Sequence, residues 1–175
     1  DRHIIKNENH VEICHYPNVY NYERINSKTD FSKGSCNDNE LEKYKIRKGD
    51  IIITKDSESP KDIGIPSYVN DNLNNVVCGY HLGIIRPKSN ISSNYFFRYF
   101  QSNLAKSYFY CSSKGITRFG LGKSKVINLK AFIPPAEEQT KIADFLDKKT
   151  NQKDKLVEHI EKKIELLNEQ RTSLI

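Results

Sequence analysis

The sequence predicts an α+β chain: a mixed, β-rich globular domain over residues 1–133, then one long α-helix over 134–175 that pairs as a coiled coil. Three observations carry this. The tail contains neither glycine nor proline after Pro135 and repeats its apolar residues in a 3-4 pattern. Ahead of it, short β-branched runs alternate with turn-forming clusters. The charge also divides: residues 1–135 carry a net +7, whereas residues 136–175 hold eight basic and nine acidic side chains.

Residues 1–43 give the weakest pattern. Val11 to Tyr16 alternates as a strand, Asn18 to Tyr22 reads as a polar aromatic loop or sheet edge, and Ser27 to Asn39 reads as loop. Tyr20 and Tyr22 either fill a domain edge or stack on a nucleotide. A Lys48-Gly49-Asp50 turn then feeds Ile51-Ile52-Ile53-Thr54-Lys55, which predicts a buried strand. Lys55 to Asn75 is a long polar connection enclosing a short strand at Ser67 to Val69. Val76 to Arg86 predicts one or two central strands, with Tyr80 and His81 in their midst; His81 is either packed or directed at a phosphate.

Ser92 or Ser93 caps a predicted helix that continues through Tyr108, with Phe96, Phe100 and Leu104 on its core face. Ser112 to Lys125 follows, with three glycines, four cations, four hydroxyls and no acid. Glycines allow close backbone approach, and the cations and hydroxyls of Lys114, Thr117, Arg118, Lys123, Ser124 and Lys125 suit phosphate oxygens or base edges. Arg118 is the candidate base reader, because a guanidinium grips guanine through two hydrogen bonds. The competing reading is a mobile surface loop. Val126 to Ile133 alternates as a last strand.

The tail begins at Pro134-Pro135, where a proline suits the first helical position, and Glu137 and Glu138 complement the helix dipole. Counting in sevens, Ala143, Thr150, Val157, Ile164 and Arg171 form one line, and Leu146, Lys153, Ile160, Leu167 and Leu174 the other. The seam is strongest from Leu156 to Leu174. Either the helix folds back on its own domain or it projects and pairs with a second helix. Its length favours projection.

Composition narrows the function. Residues 72–136 contain nine Lys or Arg and no acid, which points to a surface facing polyanion, with nucleic acid as the leading partner over a merely solvated basic face. No apolar run approaches the ~20 residues of a membrane helix. Cys14, Cys36, Cys78 and Cys111 are too scattered for a zinc site and are expected to be reduced thiols in a cytoplasmic protein. The sequence has no methionine, so further residues are expected ahead of Asp1. Gly122-Lys123-Ser124 mimics a phosphate loop but lacks the earlier glycine, since position 117 is Thr117. Asp50 and Lys55 lack the second acid of a nuclease site, and no catalytic residue or metal site is predicted.

The run Lys114 to Arg118, Leu121 to Ser124, Ile133-Pro134-Pro135, Glu138-Gln139, Ile142-Ala143 and Leu146-Asp147 resembles the specificity (S) subunits of type I restriction-modification systems. Leu156, Ile164, Leu166-Leu167, Glu169, Arg171 and Leu174-Ile175 are similar to the same family's long helix, and Arg47 to Ile53 to the Gly-Asp strand of its target-recognition domains. The resemblance covers about residues 44–175.

It implies a target-recognition domain over 1–133 that reads one half of a bipartite double-stranded DNA target. It also implies a helix over 134–175 that sets spacing and docks methyltransferase (M) subunits. Candidate DNA contacts are Lys55, Tyr22, Tyr80, His81, Lys114, Thr117, Arg118, Lys123, Ser124 and Lys125. The pairing helix is carried by Leu146, Leu156, Val157, Ile160, Ile164, Leu167 and Leu174. The helix's expected partner is a second copy or a second S-subunit half, and a restriction/motor (R) subunit completes the complex. S-adenosylmethionine, ATP and magnesium are expected only on partner subunits. Three alternatives stay open: a recognition domain of a single-chain restriction-methyltransferase, a coiled-coil scaffold that binds no DNA, and, last, a nucleotide-dependent enzyme acting through Gly122-Lys123-Ser124.

Overall fold

The computed structural model describes residues 4–173. The chain opens with strand β1 (Asn9–Cys14), helix α1 (Tyr16–Asn21), β2 (Arg24–Ile25), β3 (Ser32–Cys36) and α2 (Asp38–Tyr44). It continues through β4 (Ile51–Thr54), β5 (Asp56–Ser57), β6 (Pro66–Val69), β7 (Val76–Cys78) and β8 (Leu82–Ile85). Helices α3 (Ser93–Phe100) and α4 (Asn103–Ser112), strand β9 (Phe119–Gly120), α5 (Lys123–Ile127) and α6 (Ala136–Ser173) complete it. One sheet has the order β3-β1-β7, with β1 antiparallel to β3 and parallel to β7. A second has the order β2-β6-β4-β8, with β4 antiparallel to both neighbours. The α+β class is as the sequence predicts.

Strand β4 is the partition of the domain. Ile52 faces a core of Cys14, Val19, Ile25, Ile46, Val69 and Leu82. Ile51 and Ile53 face the opposite core of Phe97, Phe100, Phe109 and Leu121. Both sides of the strand are therefore sealed, which explains an uninterrupted apolar run where a half-exposed strand would alternate. The turn before it needs Gly49 at φ +87°. Buried Asp50 accepts the Arg47 amide at 2.8 Å and the Arg86 guanidinium through two bonds of 2.7 Å. Asp50 is thus a structural carboxylate.

Several expectations are corrected. Asn18 to Tyr22 belongs largely to α1, whose start is closed by the Asn18 side chain accepting from the His15 amide at 2.8 Å. The loop expected over Ser27 to Asn39 contains β3 and the start of α2, where Asn37 and Glu40 cap each other reciprocally. The helix expected from Ser92 to Tyr108 is two helices, because Ser102 caps a new one by accepting from Ala105. That break shifts the buried face: Leu104 is 64% exposed, and the core is made by Phe97, Phe100, Ala105 and Phe109. The strand expected over Val126 to Ile133 is the end of α5 followed by irregular chain. Its carbonyls find hydroxyls in place of a neighbouring strand, Tyr99 donating to Lys130 at 2.6 Å and Tyr95 to Phe132 at 2.7 Å.

Among the described residues, helix α6 is buried against the domain only near its start. Gln139, 1% exposed, uses both ends of its amide, accepting from the Ser92 amide and donating to the Pro134 carbonyl at 2.8 Å each. Ala143 is buried one turn on, and Asp147, one further turn on, receives Asn94 and Arg98 from α3 and Arg24 from β2. Leu146 is half-buried within this docked stretch. From residue 151 to 172 every position is exposed, including Leu156, Val157, Ile160, Ile164 and Leu167. Leu174 lies outside the described residues. Among those described, no helix is long and apolar enough to cross a membrane.

Candidate nucleic-acid interface

Three segments that are remote in sequence are stitched together at one edge of the domain. The Lys55 amide donates to the His81 carbonyl at 2.9 Å, and the Leu121 amide donates to the Lys55 carbonyl at 2.9 Å. Strands β5 and β9 pair antiparallel, Asp56 opposite Gly120 and Ser57 opposite Phe119. Lys114 and Gly120 exchange two backbone hydrogen bonds of 3.1 and 2.9 Å, which close a five-residue turn from Gly115 to Phe119. Gly115 adopts φ +152°, and a Cβ there would stand 1.9 Å from the Arg118 carbonyl oxygen. Only glycine fits that turn.

The turn presents Ile116, Thr117 and Arg118 to solvent, Ile116 at 94% exposure. The Arg118 guanidinium donates toward the His81 ring, Nη2 standing 3.0 Å from Nε2 and 3.2 Å from Nδ1. His81 Nδ1 is in turn 3.3 Å from Asp56 Oδ2. Lys55 Nζ lies 3.5 Å from the same carboxylate oxygen and donates to the Tyr80 carbonyl at 3.2 Å. Tyr80, 74% exposed, has its ring centroid 3.7 Å from that of His81. The site thus gathers Lys55, Tyr80, His81 and Arg118 around one acid.

Such a cluster can exchange its internal bonds for a polyanion. Lys55 and Arg118 outweigh the single carboxylate. Arg118 is engaged through one guanidinium nitrogen, so its fork keeps further N–H donors for a base edge or phosphate. Asp56 is the component that sequence reasoning missed. It precedes the acid-free stretch; the β4–β8 pairing sets it beside His81, and the β5–β9 pairing brings the Arg118 turn to it. No signal in the local sequence marks it.

The remaining candidates distribute differently. Lys123, Ser124 and Lys125 are exposed on α5, which follows the turn directly and is held on α4 by Tyr108 Oη donating to the Lys125 carbonyl at 3.0 Å. Among the described residues, no hydrogen bond or ion pair joins them to His81 or Arg118. Tyr22 is exposed just past α1 and leads into Glu23 and Arg24, which reach α3 and α6, so it belongs to another part of the surface. Two of the nine cations in the acid-free stretch serve the fold: Arg86 holds Asp50, and buried Arg98 pairs with Glu23 and Asp147. The other seven are exposed.

Comparison with known proteins concerns the chain as a whole. The profile of the family described as "Type I restriction modification DNA specificity domain" matches residues 6–166. A protein of Methanocaldococcus jannaschii, assigned as the type I restriction enzyme MjaX specificity subunit, is 27% identical over 141 residues, covering 78% of this chain and 31% of that protein. The chain therefore spans about a third of the length of that relative. In fold it is similar to a chain from a structure of complex assembly and conformational transition in a type I R-M system. That likeness has a TM-score of 0.59 and 16% identity, and covers 81% of this chain and 31% of the other.

Proposed function

The chain belongs to the family of type I restriction-modification DNA specificity domains, and from that membership we propose that it reads one half of a bipartite double-stranded DNA target. In this reading residues 1–133 form the target-recognition domain, and residues 134–175 form the helix that sets spacing and docks methyltransferase subunits. The observation that carries it is the glycine-set turn holding exposed Arg118 beside His81, Lys55 and Tyr80. A base reader must be exposed yet positioned, and a guanidinium propped on an imidazole is both. Arg118 and Thr117 take base edges, while Lys114, Lys123 and Lys125 take phosphates.

The helix has its own task. Its exposed apolar line from Leu156 to Leu167 runs along chain that touches nothing in its own domain, and its near-neutral charge makes it a poor DNA surface. It pairs with a second helix, from another copy or from the other half of a longer subunit. Methyl transfer and cleavage belong to the partner M and R subunits, which supply S-adenosylmethionine, ATP and magnesium. The complex works in the cytoplasm.

The test is co-expression with a methyltransferase subunit in a host lacking other methylation, followed by genome-wide mapping of modified bases. A two-part motif that appears only when this chain is present is the expected result. A palindromic motif indicates two copies, and an asymmetric one indicates a second recognition domain. Absence of both a motif and salt-sensitive DNA binding refutes the reading and leaves the scaffold alternative.

A further inference from the structure

The densest polar contact in the described structure lies away from the DNA-facing turn, where α6 leaves the domain. Asp147 Oδ1 accepts from Arg24 Nη2 at 2.8 Å and from Arg98 Nε at 2.7 Å, with Arg98 Nη2 at 2.6 Å. Its other oxygen accepts from Asn94 Nδ2 at 2.8 Å. Both arginines are fixed from behind. Arg98 pairs with Glu23 at 2.8 Å, and both guanidiniums lie over the Phe97 ring at 5.2 to 5.4 Å. Strand β2 and helix α3 therefore both close on one carboxylate of α6. It is also the last such contact: from residue 151 to 172 the helix is exposed throughout.

We infer that Asp147 is a positioning residue for DNA recognition, the joint that fixes the angle between recognition domain and helix and so sets the separation accepted between two half-sites. The inference rests on the proposed reading of the chain as half of a bipartite reader. A lever argument gives the scale. From residue 147 to 172 the helix extends about 38 Å at ~1.5 Å per residue. Play of about 5° at the joint moves its far end by roughly 3.3 Å, close to the ~3.4 Å rise of one base pair. If a second recognition domain is carried along the paired helix, holding the spacer to a single length needs a joint stiffer than that. Gln139, even with Ala143 and Leu146 packed behind it, would leave a pivot, because its polar grip is confined to the first turn. Asp147, two turns further on, turns the pivot into a fixed mount.

The experiment selects bound duplexes from a random DNA pool, using the full-length protein that carries this chain together with its methyltransferase partner, as wild type and as Asp147→Asn. The expected result is one spacer length for wild type. The variant should keep the same half-site bases but accept two or more spacers. Asn94→Ala removes two hydrogen bonds, the one it donates to Asp147 and the one it accepts from Arg24, but leaves both arginines paired with Asp147, and it serves as the second variant should Asp147→Asn reduce the yield of folded protein. A folded variant that selects the same single spacer overturns the inference while the DNA-reading function stands. Failure of wild type to select any motif overturns both. A loss of stability with no change of spacing assigns Asp147 to folding only and overturns it as well.

Discussion

Gly115→Ala tests whether the turn exists to place Arg118. The added Cβ would lie 1.9 Å from the Arg118 carbonyl oxygen and 2.7 Å from its carbonyl carbon, so the two strands of the turn must part by about 1.5 Å to reach ordinary contact. The positive φ adds strain of roughly 1–3 kcal/mol for a residue with a side chain. An opening of that size takes Arg118 Nη2, now 3.0 Å from His81 Nε2, beyond hydrogen-bond distance. Loss of a positioned base contact costs about 1–3 kcal/mol of discrimination.

The assay is competition binding of target against random duplex for wild type, Gly115→Ala, Arg118→Ala and the double variant. Thermal melting is followed alongside. Both single variants should lose discrimination to a similar degree. The double variant should lose little more, because the glycine acts through the arginine. Melting of Arg118→Ala should change little, since Arg118 is exposed and outside both cores, whereas Gly115→Ala should melt about 2–4 °C lower for each kcal/mol of strain it adds. Additive losses, or a Gly115→Ala chain with full discrimination, would refute the assignment.

The other predictions address separate parts of the molecule. Lys114→Gln, Lys123→Gln and Lys125→Gln should each weaken binding to target and random DNA alike and reduce the salt slope by about one, measured by titration at several ionic strengths. Ile160→Asp combined with Leu167→Asp should abolish self-association with the recognition domain still folded; light scattering that reports an unchanged dimer removes the pairing role. Acid should loosen the helix mount. Burial pushes the Asp147 carboxyl up, but the hydrogen bonds from Asn94 and Arg98 and the charges of Arg24 and Arg98 outweigh it, so its pKa is lowered. The stability it contributes is therefore present above the ordinary carboxylate pKa of about 3.9 and is lost as pH falls through the lower folded value. Below about pH 4 the melting temperature of wild type should fall more steeply than that of Asp147→Asn. Parallel curves would remove the ion cluster from the stability of the mount.

What the sequence reveals here follows from how local the cause is. The run Ile51 to Ile53 declares a strand sealed on both sides because nothing but burial on both faces tolerates it. The tail declares its helix through periodicity, and Lys114 to Gly120 declares a turn through its glycines. The helix starts at Tyr16, Asp38 and Asn103 rest on local caps three residues long, but the other misses need a partner from elsewhere. Residues 128–133 alternate like a strand but have tyrosine hydroxyls above them where a neighbouring strand would be needed. Asp56 reaches His81 where the β4–β8 pairing runs on past Thr54, and reaches the Arg118 turn only through pairing across more than sixty residues. Arg86 and Arg98 look like DNA-facing cations until Asp50, Glu23 and Asp147 are seen to claim them. Leu146 fits the heptad arithmetic, yet it sits in the docked stretch of the helix.

The two arginine environments also separate the chain's response to ionic strength. Arg98 has 6% of its side chain accessible, so dissolved salt screens its bonds to Glu23 and Asp147 only slightly, whereas Arg118 stands in solvent. Raising the salt therefore acts on one and spares the other. In the proposed reading, a chain washed off DNA by brine would leave with its shape intact and return by dialysis to the same site, so the grip would be adjustable while the gauge would not.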